Sequence, residues 1–211
     1  MRLRYLLGVV CAALIWPQAA TYAQNRAAAE ALFERAVFHF EQGQVAEAAR
    51  GFDQVADLVP EEAPHLWQRG IALYYAGRYE DCRTQFESHR IVNPNDVENA
   101  VWHFLCVARA ESPAAAREAL LPVGPDRRVP MRQVYQMFDG SVAPVQVLNA
   151  AGESRSGKFF AHLYLGLYFE SQGQDQKALE HIKLSAASRY ARAGGYMHMV
   201  AKVHLKLLEK R

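Results

Sequence analysis

The chain has 211 residues, 51% apolar and 22% charged, with a formal net charge of +2. That length and balance suit one domain with a sizeable core and exclude a disordered or fibrous chain. No run after the N-terminus approaches the roughly 18 apolar residues of a membrane-spanning helix, so no internal span is expected.

The N-terminus reads as a targeting segment. Arg2 and Arg4 supply positive charge, Tyr5 to Ile15 is apolar, and Pro17 ends the run. Thr21-Tyr22-Ala23 offers small residues at the two positions a signal peptidase reads, with cleavage before Gln24. Residues 1–23 are therefore expected to be a signal peptide. The product would be exported to the periplasm or cell envelope, with secretion as the runner-up. Cys11 follows Gly8-Val9-Val10 too early and without the small residue that lipidation needs, so an ordinary signal is expected. Without Arg2 and Arg4, 22 basic side chains face 22 acidic ones, and nothing electrostatic favours nucleic acid as a partner.

Residues 32–60 and 66–94 repeat each other at a spacing of 34. Leu32 pairs with Leu66, Phe33 with Trp67, Arg35 with Arg69, Ala36 with Gly70, and Phe40 with Tyr74. Gly43 pairs with Gly77, Ala48 with Cys82, Phe52 with Phe86, and Pro60 with Pro94. Each position has a physical role. The small residues let two helices cross closely, the glycines supply a left-handed turn, the aromatics fill the space beneath, and the prolines end the second helix. This is the tetratricopeptide (TPR) period.

A third unit begins at Asn95-Asp96, which caps a helix carrying Val101, Trp102, Leu105 and Cys106. Its second half fades into Pro122, Gly124, Pro125 and Pro130. Short helices are expected at about 130–138 and 144–150, separated by the Asp139-Gly140 turn. Gly166, Gly173 and Ala178 then restore the spacing of Gly70, Gly77 and Cys82, and an apolar stripe at Met197, Val200, Val203 and Leu207 predicts a last helix at about 193–209. The expected fold is an all-α, right-handed TPR solenoid of three to four repeats, with an irregular helical insertion and a C-terminal capping helix. Its units are 24–211 as one domain, repeats at about 29–62, 63–96, 97–121 (incomplete) and 159–190, an insertion at 122–157, and the cap.

Tyr164-Leu165-Gly166-Leu167-Tyr168-Phe169 with Gly173 and Ala178 resembles the last repeat of the NlpI-like family of bacterial envelope TPR proteins. So does the irregular middle, with Met131-Arg132-Gln133-Val134-Tyr135 and Phe138-Asp139-Gly140. The resemblance implies an adaptor in the cell envelope that docks peptidoglycan hydrolases and proteases. The lipid anchor of that family does not come with it.

Stacked pairs leave a concave face lined by the first helix of each pair. Here that face is expected to show Phe33, Val37, Phe40, Trp67, Ile71, Tyr74, Tyr75, Leu105 and Arg109, an aromatic groove for a partner helix or peptide. TPR proteins that clamp chaperone tails use Lys and Asn where this chain has Phe33, Val37, Trp67 and Ile71, so that ligand is not expected. The alternative is a self-associating solenoid whose groove is filled by its own C-terminal helix or by a second copy, as in a homodimer.

No nucleotide loop, nucleophile elbow or metalloprotease motif occurs, and the eight histidines make no helical metal pair. No catalytic residue, metal or cofactor is therefore expected. His89 stands where the first repeat has Val55, and reads as a hydrogen-bonded core histidine. Cys82 fills a small-residue packing slot and reads as inert. In an oxidising compartment Cys82 and Cys106 can also form a disulfide between neighbouring helices.

Overall fold

The structure, a computed structural model, describes residues 15–210. The first part of the expected signal segment lies outside the described residues, and its cleavage point falls inside the first helix.

Among the described residues the chain is all-helical. The helices are α1 (Ile15–Glu41), α2 (Val45–Leu58), α3 (Trp67–Tyr75), α4 (Tyr79–Val92), α5 (Val97–Ala110), α6 (Pro113–Glu118), α7 (Met131–Asp139), α8 (Pro144–Ala151), α9 (Arg155–Ser171), α10 (Asp175–Ser185), α11 (Ala191–Gly194) and α12 (Tyr196–Leu208). Single 3₁₀ segments at Pro60–His65 and Ser188–Tyr190 join neighbouring units. None of these helices is long and apolar enough to cross a membrane.

Three helix pairs, α1/α2, α3/α4 and α9/α10, close through the same turn. Gly43, Gly77 and Gly173 have φ of 77°, 76° and 70°, a conformation side chains with a Cβ resist. In each, the residue after the glycine donates its N–H back into the preceding helix: Gln44 to the His39 carbonyl, Arg78 to Leu73 and Gln174 to Phe169, at 2.8–3.0 Å. That bond satisfies a carbonyl the helix end would otherwise leave bare.

Within a pair, close crossing depends on a missing side chain. A Cβ added at Gly70 would lie 2.6 Å from Phe86 Cζ, and one at Gly166 would lie 2.6 Å from Ile182 Cδ1. The two glycines face residues sixteen positions further on, one register in two distant repeats. The first pair solves the problem from both sides: a Cβ at Gly51 would lie 2.9 Å from that of Ala36. Asp53 ties this pair to the next by accepting from both Arg69 and Arg78.

The third pair is asymmetric. Asp96 caps α5 by accepting the Glu98 N–H at 3.0 Å, and Ser112 caps α6 by accepting that of Ala115 at 3.1 Å. α6 stops after two turns, and the chain runs extended through the proline-rich stretch before α7 packs on α5 as well. α5 is therefore the centre of the molecule, in contact with α3, α4, α6, α7 and α9. Residues 99–107 along it are all buried. Cys82 in α4 and Cys106 in α5 form a disulfide, with Cα atoms 5.9 Å apart.

The last helix returns to the first. α12 packs against α10 and α11 and also against α1. The array is bent far enough for its two ends to meet.

Candidate functional site

That return changes what the expected groove is. Tyr196, the first residue of α12, stacks on Phe40 with ring centroids 6.3 Å apart and meets the edge of Trp67 at 4.9 Å. Two turns on, His204 Nδ1 and the Tyr75 hydroxyl are 2.9 Å apart, and His204 Nε2 lies 3.2 Å from a Glu170 carboxylate oxygen. Lys206 donates to the Gln42 carbonyl at 2.7 Å. The helix is pinned to α1, α3 and α9 along its length.

The expectation of an open groove over nine residues is therefore corrected. Phe40, Ile71, Tyr74 and Leu105 are buried core, and Val37, Trp67 and Tyr75 are half-covered. Phe33 turns toward its own repeat, edge-on to Phe52 at 5.4 Å. Arg109 alone is exposed; it donates to the Tyr79 hydroxyl and sits over that ring. An aromatic face this apolar is costly to leave in water, and the nearest amphipathic helix that reaches it belongs to the same chain.

Parts of the concave side stay open: one pocket of about 310 Å³ is lined by Tyr74, Tyr75, Tyr79 and Arg109 with Glu170 and His204. A cavity of about 320 Å³ lies between α3, α4, α5, α9 and the start of α12. Its walls are Trp67, Phe86, Trp102, Phe160 and Tyr196, and its polar lining is Asp96, Glu98, Asn99, Arg128 and His89. The first turns of α5 place the polar groups. Asp96 is the cap, Glu98 and Asn99 follow it, and Trp102 sits one turn beyond Asn99 on the same face.

Arg128 reaches in from the extended stretch before α7. It forms ion pairs with Asp96, Glu98 and Asp126, and its guanidinium lies 5.9 Å over the Phe160 ring. Asp126 also accepts the Val97 N–H at 3.3 Å, which anchors the stretch to the start of α5. Burial pushes the Glu98 carboxyl up from its ordinary range, against the pull of Arg128. Burial opposes ionisation at Asp126 too, but the Arg128 hydrogen bond and charge outweigh it and hold that carboxyl below its usual value. The Tyr164 hydroxyl, buried and donating to Glu98, is raised well above the phenol range.

Three cavity residues carry a buried polar atom without a hydrogen-bond partner among the described residues: Asn99 Oδ1, Trp102 Nε1 and the Tyr196 hydroxyl. Buried polar groups are paired in the great majority of native structures, since each orphan costs on the order of 1–3 kcal/mol.

Apart from His89, the histidines lie elsewhere. His89 borders the cavity, but its Nδ1 is 2.8 Å from the Pro64 carbonyl oxygen. His198 Nε2 is 3.1 Å from the carbonyls of Ala186 and Ala187. His162 and His181 face each other across α9 and α10. Among the described residues no group of three or more metal-binding side chains comes together. With Cys82 and Cys106 joined, neither is a free thiol for a Cys–His pair.

The sequence reading placed Trp67 and Ile71 at this site but missed Glu98, Asn99, Trp102, Arg128, Phe160 and Tyr196. Asp126-Arg127-Arg128 was visible as a charge cluster, yet nothing local says that it folds back onto residues 30 positions earlier.

Residues 30–61, which cover the later part of α1, all of α2 and its exit, match the family model described as the tetratricopeptide repeat. The turn and crossing geometry shared by the helix pairs agrees with that match, and the fold is that of an all-α tetratricopeptide solenoid.

Proposed function

We propose that the protein is a non-catalytic interaction scaffold of the bacterial cell envelope, and that the cavity beside Trp67, Trp102 and Tyr196 holds a segment of its partner protein. Tetratricopeptide repeats generally mediate protein–protein contacts. The observation that carries the reading is the cavity itself: aromatic walls, and three buried polar atoms with no hydrogen-bond partner among the described residues. Docking of envelope hydrolases or proteases, as the NlpI-like resemblance implies, is the partner class we favour.

Export rests on Arg2, Arg4, the apolar run to Ile15 and the Thr21-Tyr22-Ala23 site. The Cys82–Cys106 disulfide supports it, because such bonds persist in oxidising compartments. Binding of a long partner helix across the whole concave face is not favoured, because α12 already lies there.

Two measurements test the reading. A fusion of residues 1–30 to a reporter active only after export should be active, and an inactive fusion removes the envelope. Partners captured from the native compartment should be lost with Trp67→Ala and Asn99→Leu, while a surface control such as Lys202→Ala retains them. Equal recovery by all variants would reject the cavity as the docking site.

A further inference from the structure

Building on the partner-binding reading, we infer that the cavity selects a basic residue: it receives an Arg or Lys side chain of the partner, together with one adjoining peptide unit. Four observations lead there.

First, the charge is unbalanced. Asp96, Glu98 and Asp126 surround Arg128, the only Lys or Arg among the described lining residues. Asp96 and Asp126 against one guanidinium leave an excess of negative charge even where burial favours the neutral form of Glu98. A second cation entering this partly dry space meets attraction far less screened than at an open surface. An anionic residue would meet Asp96 and Glu98 directly, and like-charge contact of that kind excludes a ligand.

Second, the walls are aromatic. Trp67, Trp102, Phe160 and Tyr196 present rings, whose faces attract cations. Arg128 already sits over Phe160 in this way. Third, the unpaired atoms specify what accompanies the charge. Asn99, only 4% exposed, has an amide oxygen without a donor among the described residues, and an ammonium or guanidinium N–H supplies one once the side chain turns toward the cavity. Trp102, 1% exposed, has an indole N–H without an acceptor among them, and a peptide carbonyl beside the basic side chain supplies one after a similar small adjustment. Fourth, about 320 Å³ stands at the small end of ligand pockets, which run roughly 300–1,000 Å³. It admits one residue and not a helix.

The test uses the full chain and four capped tripeptides, acetyl-Gly-Xaa-Gly-amide with Xaa Arg, Lys, Leu or Glu. The Trp102 indole N–H resonance is followed in NMR titrations and assigned with Trp16→Phe and Trp67→Phe samples. The Arg and Lys peptides should shift it saturably, about tenfold more tightly than the Leu and Glu peptides. Asp96→Asn keeps a residue that caps helices well and should remove most of that preference. Asn99→Leu should weaken every peptide. Binding of Leu or Glu as tight as Arg overturns the inference but leaves the partner-binding reading intact. No shift with any peptide also overturns it and makes the cavity a water-filled void; the partner-binding reading then falls only if Trp67→Ala still captures the same proteins. A preference that survives in Asp96→Asn rejects the carboxylate excess as its source.

Discussion

Gly70→Ala probes the helix crossing on which both repeat and cavity depend. An alanine Cβ at this position would sit 2.6 and 2.7 Å from Phe86 Cζ and Cε2. Carbon atoms rest at about 3.5–4.0 Å, so the ring must retreat by about 1 Å. It has little room: Phe86 is 1% exposed and stacks on Trp102, with centroids 6.5 Å apart and planes 18° from parallel. Overpacking of this kind costs about 1–3 kcal/mol, and alanine returns about 0.8–1 kcal/mol of helix propensity. The net expectation centres on a loss of about 1 kcal/mol, or about 2–4 °C in melting temperature for a domain of this size. Urea unfolding followed by far-ultraviolet circular dichroism measures it. Adding Phe86→Leu should recover part of the loss, with a coupling of about 1 kcal/mol in a double-mutant cycle. A Gly70→Ala protein as stable as wild type, or a cycle with no coupling, would refute the argument that this glycine exists to admit the ring.

Two further outcomes concern stability. Replacing Cys82 and Cys106 together with alanine opens a loop of 24 residues. Chain entropy puts the loss at about 3–4 kcal/mol, so unchanged urea midpoints would mean that the bridge constrains nothing the packing does not already hold. The His162–His181 pair, with Nδ1 atoms 3.0 Å apart, should make the protein acid-sensitive. Burial, then the neighbouring His181 and Arg189, lower His162 to about 4, while an unfolded histidine titrates near 6.5. A depressed folded value gives stability that is complete above about pH 6.5 and is lost as pH falls toward 4. Allowing for the ring's partial exposure, the loss is about 1–2 kcal/mol. It should shrink in His162→Gln, and an equal acid loss in that variant would assign the effect to other groups.

Much of the fold was legible because it is local. Gly43, Gly77 and Gly173 announce the same turn in the sequence and adopt it in the structure. The small-residue positions Gly70 and Gly166 meet the bulky residue sixteen places later. Phe33 shows the limit of that logic. The 34-residue spacing correctly aligns it with Trp67, but alignment along a helix does not say which neighbour a ring turns to, and Phe33 packs on Phe52. The apolar stripe of α12 was also readable, while its docking site was not: periodicity reports that a face must be buried, not against what. The cavity was least visible. Its members come from α3, α4, α5, α9, α12 and an extended stretch, and only the three-dimensional closure brings Arg128 and Tyr196 beside Trp102.

The meeting of α12 with α1 has a consequence for how such a protein varies. An open solenoid can gain or lose a unit at either end, since each repeat answers only to its neighbours. Here Phe40 near the front and Tyr196 near the back share one stack. A duplicated repeat between them would carry the two rings apart and uncover both. The chain is in effect a clasp of set circumference, and new specificity has to arise by substitution within it rather than by lengthening it.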